Sequence, residues 1–147
     1  MEEIAIAIPL KVWKDPQGDV ILHYSCESCV IYFGCWITNI EPANYLCKLT
    51  FHRAWAVRGY LREEDYNVKE HDYRSYVYRV ENSEWLHHEE NRRSIASPDR
   101  KQWDTNTYNH YVVPGHDNHY DIIAADFTET TIPFESAGDL LRVIDGA

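Results

Sequence analysis

The sequence predicts a single α+β domain over residues 1–147, with a mainly antiparallel sheet of about seven strands, one mid-chain helix and one short C-terminal helix. A chain of 147 residues suits one domain of ordinary size, and its 44% of hydrophobic residues is close to the average for globular proteins. Apolar and polar residues alternate along most of the chain, which is the period of a half-buried strand. Short turn signals between these segments favour antiparallel neighbours.

The first third of the chain predicts a hairpin followed by a buried strand. The apolar residues of the opening segment share one phase, and Pro9 in the other phase places this strand at a sheet edge. Residues 15–19 carry the Pro and Gly of a turn, so residues 20–24 are expected to return beside the opening strand. Residues 29–38 contain no charged side chain and predict a strand that is buried on both faces or nearly so.

The middle of the chain predicts a long strand, a loop and a further strand. Apolar residues fall mostly on odd positions over residues 45–61, with an interruption at Arg53, which fits one long strand or two joined by a bend. Residues 62–72 are polar and acidic, as in a surface loop. Residues 73–80 are again rich in aromatic and β-branched side chains and predict a strand.

The spacing then changes to that of a helix. Asn82-Ser83 can cap a helix that begins at Glu84-Trp85, and Ser97-Pro98 can end it. Acidic residues come early and arginines late, as the helix dipole favours, and Glu89 and Arg93 have the spacing of an ion pair. Its apolar face consists of three side chains: Trp85, Leu86 and Ile95. The helix is therefore expected on the surface, anchored at one end.

The last third of the chain predicts a second hairpin. Strands are expected over residues 107–113 and 119–127, around a turn at residues 114–118. Residues 128–133 are interpreted as a connector, and residues 136–144 as a short closing helix with four apolar side chains.

The charge balance limits the classes of partner. The chain carries 24 acidic and 14 basic residues, a formal charge of −10. Since duplex binding depends on Lys and Arg side chains that displace counterions, this balance argues against nucleic acid, and the same repulsion argues against an anionic membrane. A basic protein partner is permitted, because opposite fields steer association. No positively charged leader and no long apolar run is found, so a cytoplasmic location is expected.

All four cysteines lie in the first third of the chain. Cys26 and Cys29 form a CxxC pair, but a strand pattern follows it, whereas a redox motif needs a helix N-terminus to lower the thiol pKa. Cys35 and Cys47 lie in apolar strand patterns, where cysteine acts as a small buried hydrophobe. Thiols packed in the sheet are therefore favoured over a structural zinc site or a redox pair.

The last hairpin carries the candidate residues for a metal or catalytic site. They are His110, His116, His119 and Asp121. The hairpin register decides whether they converge, since a five-residue loop places His110 opposite Ile122 and a four-residue loop places it opposite Asp121. A His-Asp-Asn turn more often shapes only the backbone, so a zinc protein or a hydrolase is the alternative rather than the main hypothesis.

Aromatic side chains are the most unusual feature of the composition, with 5 Trp and 11 Tyr. Tyr, Trp and Arg are the residues enriched at interface hot spots and in ligand pockets. The candidate binding residues lie on the strand over 73–80 and around the last hairpin: Tyr76, Tyr78, Arg74, Tyr108, Tyr111 and Tyr120. The alternative is that these tyrosines line a sheet face as cross-strand pairs, with their hydroxyls in water.

Two functional hypotheses follow. The first is a small acidic, aromatic-rich protein-interaction or ligand-binding domain without a cofactor, one form of which would inhibit or neutralise a basic protein. Exposed edge strands also predict a homodimer. The second is the zinc protein or hydrolase built on the last hairpin. No nucleophile elbow, P-loop or dinucleotide fingerprint supports an enzyme, so the first hypothesis is favoured.

Overall fold

Strands dominate the described part of the chain. The computed structural model describes residues 1–16, 18–25, 28–38, 41–61 and 75–133. The strands are β1 (Ile4–Pro9), β2 (Trp13–Lys14), β3 (Ile21–Ser25), β4 (Ser28–Thr38), β5 (Glu41–His52), β6 (Ala56–Leu61), β7 (Tyr76–Glu81), β8 (Asn109–Pro114), β9 (Asn118–Ala124) and β10 (Asp126–Pro133). The helices are α1 (Glu84–Ala96) and α2 (Arg100–Trp103).

The described strands form two antiparallel sheets of five strands each, where one sheet of about seven was expected. The order in the first sheet is β1-β7-β8-β9-β6. In the second sheet it is β10-β5-β4-β2, and β3 also pairs with β4. The antiparallel arrangement and the α+β composition are confirmed. The expected number of about seven strands is roughly right. The ten described strands also include the short β2, the second half of a predicted strand that divides at a bend, and a segment predicted as a connector.

The opening strand does not form the expected hairpin. β1 pairs with β7, with Ile8 opposite Val77, whereas β3 pairs with β4. β1 is at the end of the first sheet, so the edge position predicted from Pro9 is confirmed. The pairing with β7 places Ile8 against the core, beside the fully buried Val77, and this burial outweighs the local preference for a hairpin.

The predicted turn after β2 forms, but it interrupts a strand instead of reversing one. The Gly18 N–H donates to the Asp15 carbonyl over 3.1 Å. On the two sides of this turn, β2 and β3 both pair with β4, one after the other along the same edge. Pro and Gly suit either kind of turn, so the turn residues could not distinguish the two arrangements.

Two bent strand pairs connect the sheets. β5 and β10 pair in the second sheet, and the same chain segments continue as β6 and β9 in the first. The bends fall at Arg53, whose φ is 55°, and at Ala125, whose N–H donates to the His52 carbonyl over 2.9 Å. Strands that switch sheets at bends form the corners of packed sheets. The alternative of two strands joined by a bend is therefore confirmed.

The core lies between the two sheets, where alternate residues of each face inward. Its largest fully buried side chains are Phe51, Ile31, Leu49 and Ile122. An aromatic cluster of Phe51, Tyr111 and Phe127 belongs to it, with ring centroids 5.3, 5.4 and 5.6 Å apart. The apolar residues that alternate along the strands are therefore buried on the inner face of each sheet, as the two-residue period predicts.

Three cysteines are free thiols of this core: Cys29, Cys35 and Cys47. Burial raises the pKa of Cys29 to about 12 and the pKa of Cys35 to about 11. The expectation that Cys35 and Cys47 pack in the sheet is confirmed. Cys26, and with it the CxxC pair, lies outside the described residues.

The mid-chain helix begins and ends where the sequence predicts, with Ser83 as its cap. Two details are wrong. Glu89 pairs with Arg92 over 2.7 Å rather than with Arg93, because the Arg93 guanidinium lies over the Trp55 ring. Ile95, which was assigned to the apolar face, is 82% exposed. The helix is held by its two ends rather than by an apolar stripe.

The last third of the chain departs from the prediction in two places. Residues 128–133, interpreted as a connector, belong to β10, because they pair with β5. The short helix α2 was not expected within residues 98–105. The helix expected at 136–144 and the loop expected at 62–72 lie outside the described residues. Among the described residues, no helix combines the length and the apolar character needed to cross a membrane.

Candidate functional site

The outer face of the first sheet, opposite the core, carries polar side chains and is partly covered by α1. Directly paired residues share a face, so His110 lies beside Val80 and Asp121 beside Arg58 on this outer side. The edge of the Trp85 ring on α1 meets His110, with centroids 5.0 Å apart and planes at 73°. His110 and Asp121 are therefore buried although they do not face the core.

A buried polar network joins the N-terminal end of α1 to the sheet; we call it the Ser83–Arg58 network. Its members are Ser83, His110, Asp121 and Arg58. Ser83 Oγ lies 2.7 Å from His110 Nδ1 and also accepts the N–H of Leu86. His110 Nε2 lies 3.3 Å from Asp121 Oδ1, an ion-pair contact without the geometry of a hydrogen bond. Because a carboxylate only accepts hydrogen bonds, it favours a proton on Nε2, which leaves Nδ1 to accept from the Ser83 hydroxyl.

Asp121 is held as an anion inside this network. Its Oδ2 accepts a charge-assisted hydrogen bond from Arg58 Nε over 2.5 Å. Burial alone would raise the pKa of Asp121, but contacts with His110 and Arg58 outweigh burial and lower that pKa below its usual value. The Arg58 guanidinium lies 4.2 Å from the centre of the Trp85 ring, so the cation is clamped under the helix.

Serine, histidine and aspartate in one row are the components of a hydrolase triad. Here, however, His110 is 0%, Asp121 1% and Ser83 8% exposed. The Ser83 hydroxyl is engaged as the helix cap, and the Glu84 N–H beside it donates to the Glu3 carboxylate over 3.1 Å. The geometry therefore favours a structural role, in which the network fixes α1 on the sheet.

The hairpin of β8 and β9 forms as predicted, with a different register. Pro114 pairs with His119, so the four-residue loop begins at residue 115 rather than at residue 114, and His110 lies opposite Ile123. Both predicted registers, with His110 opposite Ile122 or opposite Asp121, are wrong. His110 still reaches Asp121, because the two residues lie diagonally across the same face of the sheet.

The other two histidines of the hairpin have different neighbours. The buried His119 ring stacks on Tyr60, with centroids 5.3 Å apart. His116 is exposed in the turn, 3.1 Å from Asp117. Within the described ranges, no three His, Cys, Asp or Glu side chains lie close enough to hold a metal ion. The zinc protein or hydrolase on this hairpin stays a prediction.

The C-terminal end of α1 borders a cleft of about 80 Å³; we call it the Trp55–Asp104 cleft. Its lining residues are Arg53, Trp55, Arg93, Trp103, Asp104 and Tyr108. The Arg93 guanidinium lies 4.6 Å from the centre of the Trp55 ring and 5.6 Å from that of Tyr108. These two rings meet edge to face, with centroids 5.7 Å apart. Such stacking fixes the plane of the guanidinium.

Asp104 is the acidic wall of this cleft. Its Oδ2 accepts the Tyr108 hydroxyl over 2.5 Å, and its Oδ1 accepts the backbone and side-chain N–H groups of Asn106 over 3.1 and 2.8 Å. Burial alone would raise the pKa of Asp104, but these hydrogen bonds and the charge of Arg93 lower it to about 2. Burial and the bond to Asp104 raise the pKa of Tyr108, so its hydroxyl keeps the proton it donates.

A larger, open groove adjoins the cleft and shares Asp104 and Tyr108 with it. We call it the α1–α2 groove; its volume is about 450 Å³. The other lining residues come from the two helices and the segment after α2: Leu86, Glu90, Arg100, Lys101, Thr105, Asn106 and Thr107. Trp103 stands beside the shared wall and is 63% exposed.

Three nitrogen donors around these cavities have no acceptor. Trp55 Nε1, Arg93 Nη1 and Arg100 Nε are shielded and make no hydrogen bond within the described part of the chain. Arg93 Nη1 lies 3.4 Å from Asp104 Oδ2 without the geometry of a hydrogen bond. Buried donors are nearly always paired, so three of them near one cleft indicate that an acceptor is missing there.

Four of the tyrosines predicted to bind a partner lie away from this groove. Tyr76 and Tyr78 are half-buried on the outer face of β7, with ring centroids 6.3 Å apart. Tyr111 is 5% exposed and belongs to the core. Tyr120 packs against the core over Gly59, where an added side-chain carbon would lie 2.8 Å from its ring. The structure does not bring these four side chains to one surface.

Tyr108 is the predicted binding residue that lines both cavities. Arg74 lies outside the described residues. The sequence reasoning missed Trp55, Arg93 and Asp104, because Trp55 fitted a strand pattern and Arg93 fitted a helical ion pair. The available signal was a lone tryptophan in the polar segment 98–105, which is otherwise typical of a loop.

Comparison with known protein families, with curated proteins and with solved structures finds no match for this chain.

Proposed function

We propose that this protein is an interaction domain that holds a peptide segment of a protein partner in the α1–α2 groove. The observation that carries the proposal is the wall of Asp104 and Tyr108 that groove and cleft share, next to which Trp103 of the cleft is 63% exposed. Trp, Tyr and Arg side chains dominate the binding energy of protein interfaces, and rigid rings lose little entropy on binding.

The chemistry of the groove supports a peptide ligand. Thr105, Asn106 and Thr107 line it beside the aromatic wall and offer side-chain donors and acceptors for a peptide backbone. Pockets that combine apolar rings with a few polar groups are typical of binding sites.

The local charge supports an anionic segment. Arg53, Arg93, Arg100 and Lys101 line the two cavities, against Glu90 and Asp104. The excess comes from the cleft, where Arg53 and Arg93 face Asp104, whereas Arg100 and Lys101 are balanced by Glu90 and Asp104 in the groove. An anionic group of the segment is therefore expected at the cleft, on a chain whose formal charge is −10. A basic partner and a homodimer remain predictions from the sequence, which other surfaces would have to provide.

The test is selection of a random phage-displayed peptide library on the purified protein. The enriched peptides are then labelled, and their affinity is measured by fluorescence anisotropy. Replacement of a hot-spot side chain costs about 2 kcal/mol or more, so Trp103→Ala is expected to weaken binding roughly thirtyfold. Arg92→Gln is the control, because Arg92 is the exposed neighbour of Arg93 and lines neither cavity.

Peptides that bind Trp103→Ala as tightly as the unmodified protein would contradict the proposal. The same holds if repeated selection enriches no peptide that binds. Circular dichroism of each variant checks that the fold is retained.

A further inference from the structure

We infer that the Trp55–Asp104 cleft binds a single carboxylate group of the segment held in the groove. The inference deepens the proposed function and rests on it for the source of the carboxylate. The carboxylate would contact Arg93 and Trp55 in the cleft, whereas the proposed function depends on Trp103, so the two can be tested separately.

Arg93 is the residue expected to receive the carboxylate. Its guanidinium carbon lies 4.6 Å from the centre of the Trp55 ring and 5.6 Å from that of Tyr108, and these contacts hold its N–H fork in place before any ligand arrives. Its side chain is 25% exposed, so part of the fork reaches the cleft. A planar fork held in place matches the two oxygens of a carboxylate and forms two parallel hydrogen bonds.

The unpaired donors indicate what kind of ligand is missing. Trp55 Nε1 and Arg93 Nη1 both lack an acceptor, and both residues line the cleft. An ionised carboxylate only accepts hydrogen bonds and offers about four lone-pair sites. These nitrogens are shielded, so an oxygen reaches them only after neighbouring side chains move; Arg53 and Trp103 line the same cleft and are exposed. Rotation of exposed side chains is fast and costs little.

Asp104 does not satisfy these donors. Its two oxygens already accept hydrogen bonds from Tyr108 and Asn106. The Arg93 contact with Asp104 is an ion pair of 3.4 Å without hydrogen-bond geometry. The Arg93 guanidinium is therefore held by two aromatic rings and by the Asp104 charge, and its Nη1 can still donate a hydrogen bond to a ligand.

The charge and the volume of the cleft favour one carboxylate. Two arginines and one ionised aspartate line it, so one negative charge balances it. A phosphate dianion would exceed this balance and would lie closer to the Asp104 carboxylate, which repels it. The volume of about 80 Å³ is several times the roughly 10–15 Å³ that one water needs, which leaves room for a carboxylate group.

The direct test uses sodium acetate as the probe and the Trp55 indole N–H resonance of ¹⁵N-labelled protein as the readout. Trp55→Phe assigns that resonance. Acetate is expected to shift it in a saturable manner, whereas sodium chloride at equal ionic strength is not. Arg93→Gln removes the fork and is expected to weaken acetate binding roughly tenfold or more, while Arg92→Gln leaves it unchanged.

Phosphate and peptide arms resolve the remaining choices. Inorganic phosphate that saturates the shift at lower concentration than acetate would overturn the choice of a carboxylate. Among peptides, one arm has a free C-terminus and no acidic side chain, and the other has an internal Glu and an amidated C-terminus. The arm that competes with acetate identifies the source of the carboxylate.

The outcomes separate this inference from the proposed function. Peptides without any carboxylate that bind the groove as tightly as acidic ones would refute the inference and leave the groove intact. Acetate that shifts Trp55 while no peptide binds would support the cleft and refute the peptide proposal. Absence of any acetate-specific shift, in a protein whose other resonances are native, would overturn the inference.

Discussion

The two ends of α1 are built from the same components and have different properties. At the N-terminal end, Arg58 lies over Trp85 and bonds to Asp121. At the C-terminal end, Arg93 lies over Trp55 and pairs with Asp104. In both places burial opposes ionisation of the aspartate, and its polar neighbours more than compensate.

The two ends differ in the further side chains that surround each Arg–Asp pair and in how far the pair is sealed from water. His110 and Ser83 complete the first end, where His110 is 0% exposed and Asp121 1%. At the second end the donors of Trp55 and Arg93 lack acceptors, and the pair lines an open cleft. The same kinds of side chain therefore serve the fold where they are sealed from water, and are suited to binding where they border a cleft.

The largest expected effect is the loss of the buried acid at the N-terminal end. Asp121→Ala leaves the Arg58 cation and the buried His110 without their carboxylate partner. We expect the free energy of unfolding in urea to fall by about 3 kcal/mol, because the variant empties a buried carboxylate site, leaves the buried His110 without its acid and deprives the partly exposed Arg58 of its counter-ion.

Glu89→Ala is the control for this prediction. It removes an exposed ion pair of α1 with Arg92, and such pairs contribute about 0–1 kcal/mol. If Asp121→Ala loses as little stability as Glu89→Ala, the N-terminal end of α1 is not its structural anchor.

The next effect concerns the serine that links the helix to the sheet. Ser83→Ala removes the cap of α1 and the partner of His110 Nδ1, and we expect a loss of about 2–3 kcal/mol in thermal unfolding. Ser83→Thr keeps the hydroxyl and is expected to lose less. Labelling of Ser83 by a fluorophosphonate probe in the native protein would instead favour the hydrolase alternative.

A smaller effect on the unfolding free energy, confined to acidic pH, is expected at the C-terminal end of α1. The pKa of Asp104 is about 2, below its usual value, so folding favours the ionised form. The stabilisation is present above about pH 4 and is lost as the pH falls towards 2. Asp104→Asn removes this contribution, so its unfolding free energy should vary less with pH in that window. Parallel pH profiles of variant and parent would contradict the assignment.

The smallest effect on stability is expected for the arginine of the cleft. Arg93→Gln removes a partly exposed cation from two aromatic rings, and we expect a loss of about 1 kcal/mol in urea unfolding. The exposed Arg92→Gln should lose less. A loss of stability as large as that of Asp121→Ala would show that the C-terminal end of α1, too, is a structural anchor.

Features that depend on neighbours along the chain were predictable from the sequence. The helix cap at Ser83, the second hairpin and the burial of Cys35 and Cys47 were expected and are found. The reason is physical: caps, turns and two-residue periodicity arise from local sterics and hydrogen bonds. Tyr108 was recognised as a binding candidate by its residue type alone, without its neighbours.

Pairings between distant segments required the three-dimensional structure. The alternating pattern of β1 fits a hairpin and a pairing with β7 equally well, because both bury the same face of the strand. The choice depends on the total burial summed over two sheets, which no local window contains. The same holds for Trp55, Arg93 and Asp104, which come together because the bend after β5 and the packing of α1 place them side by side.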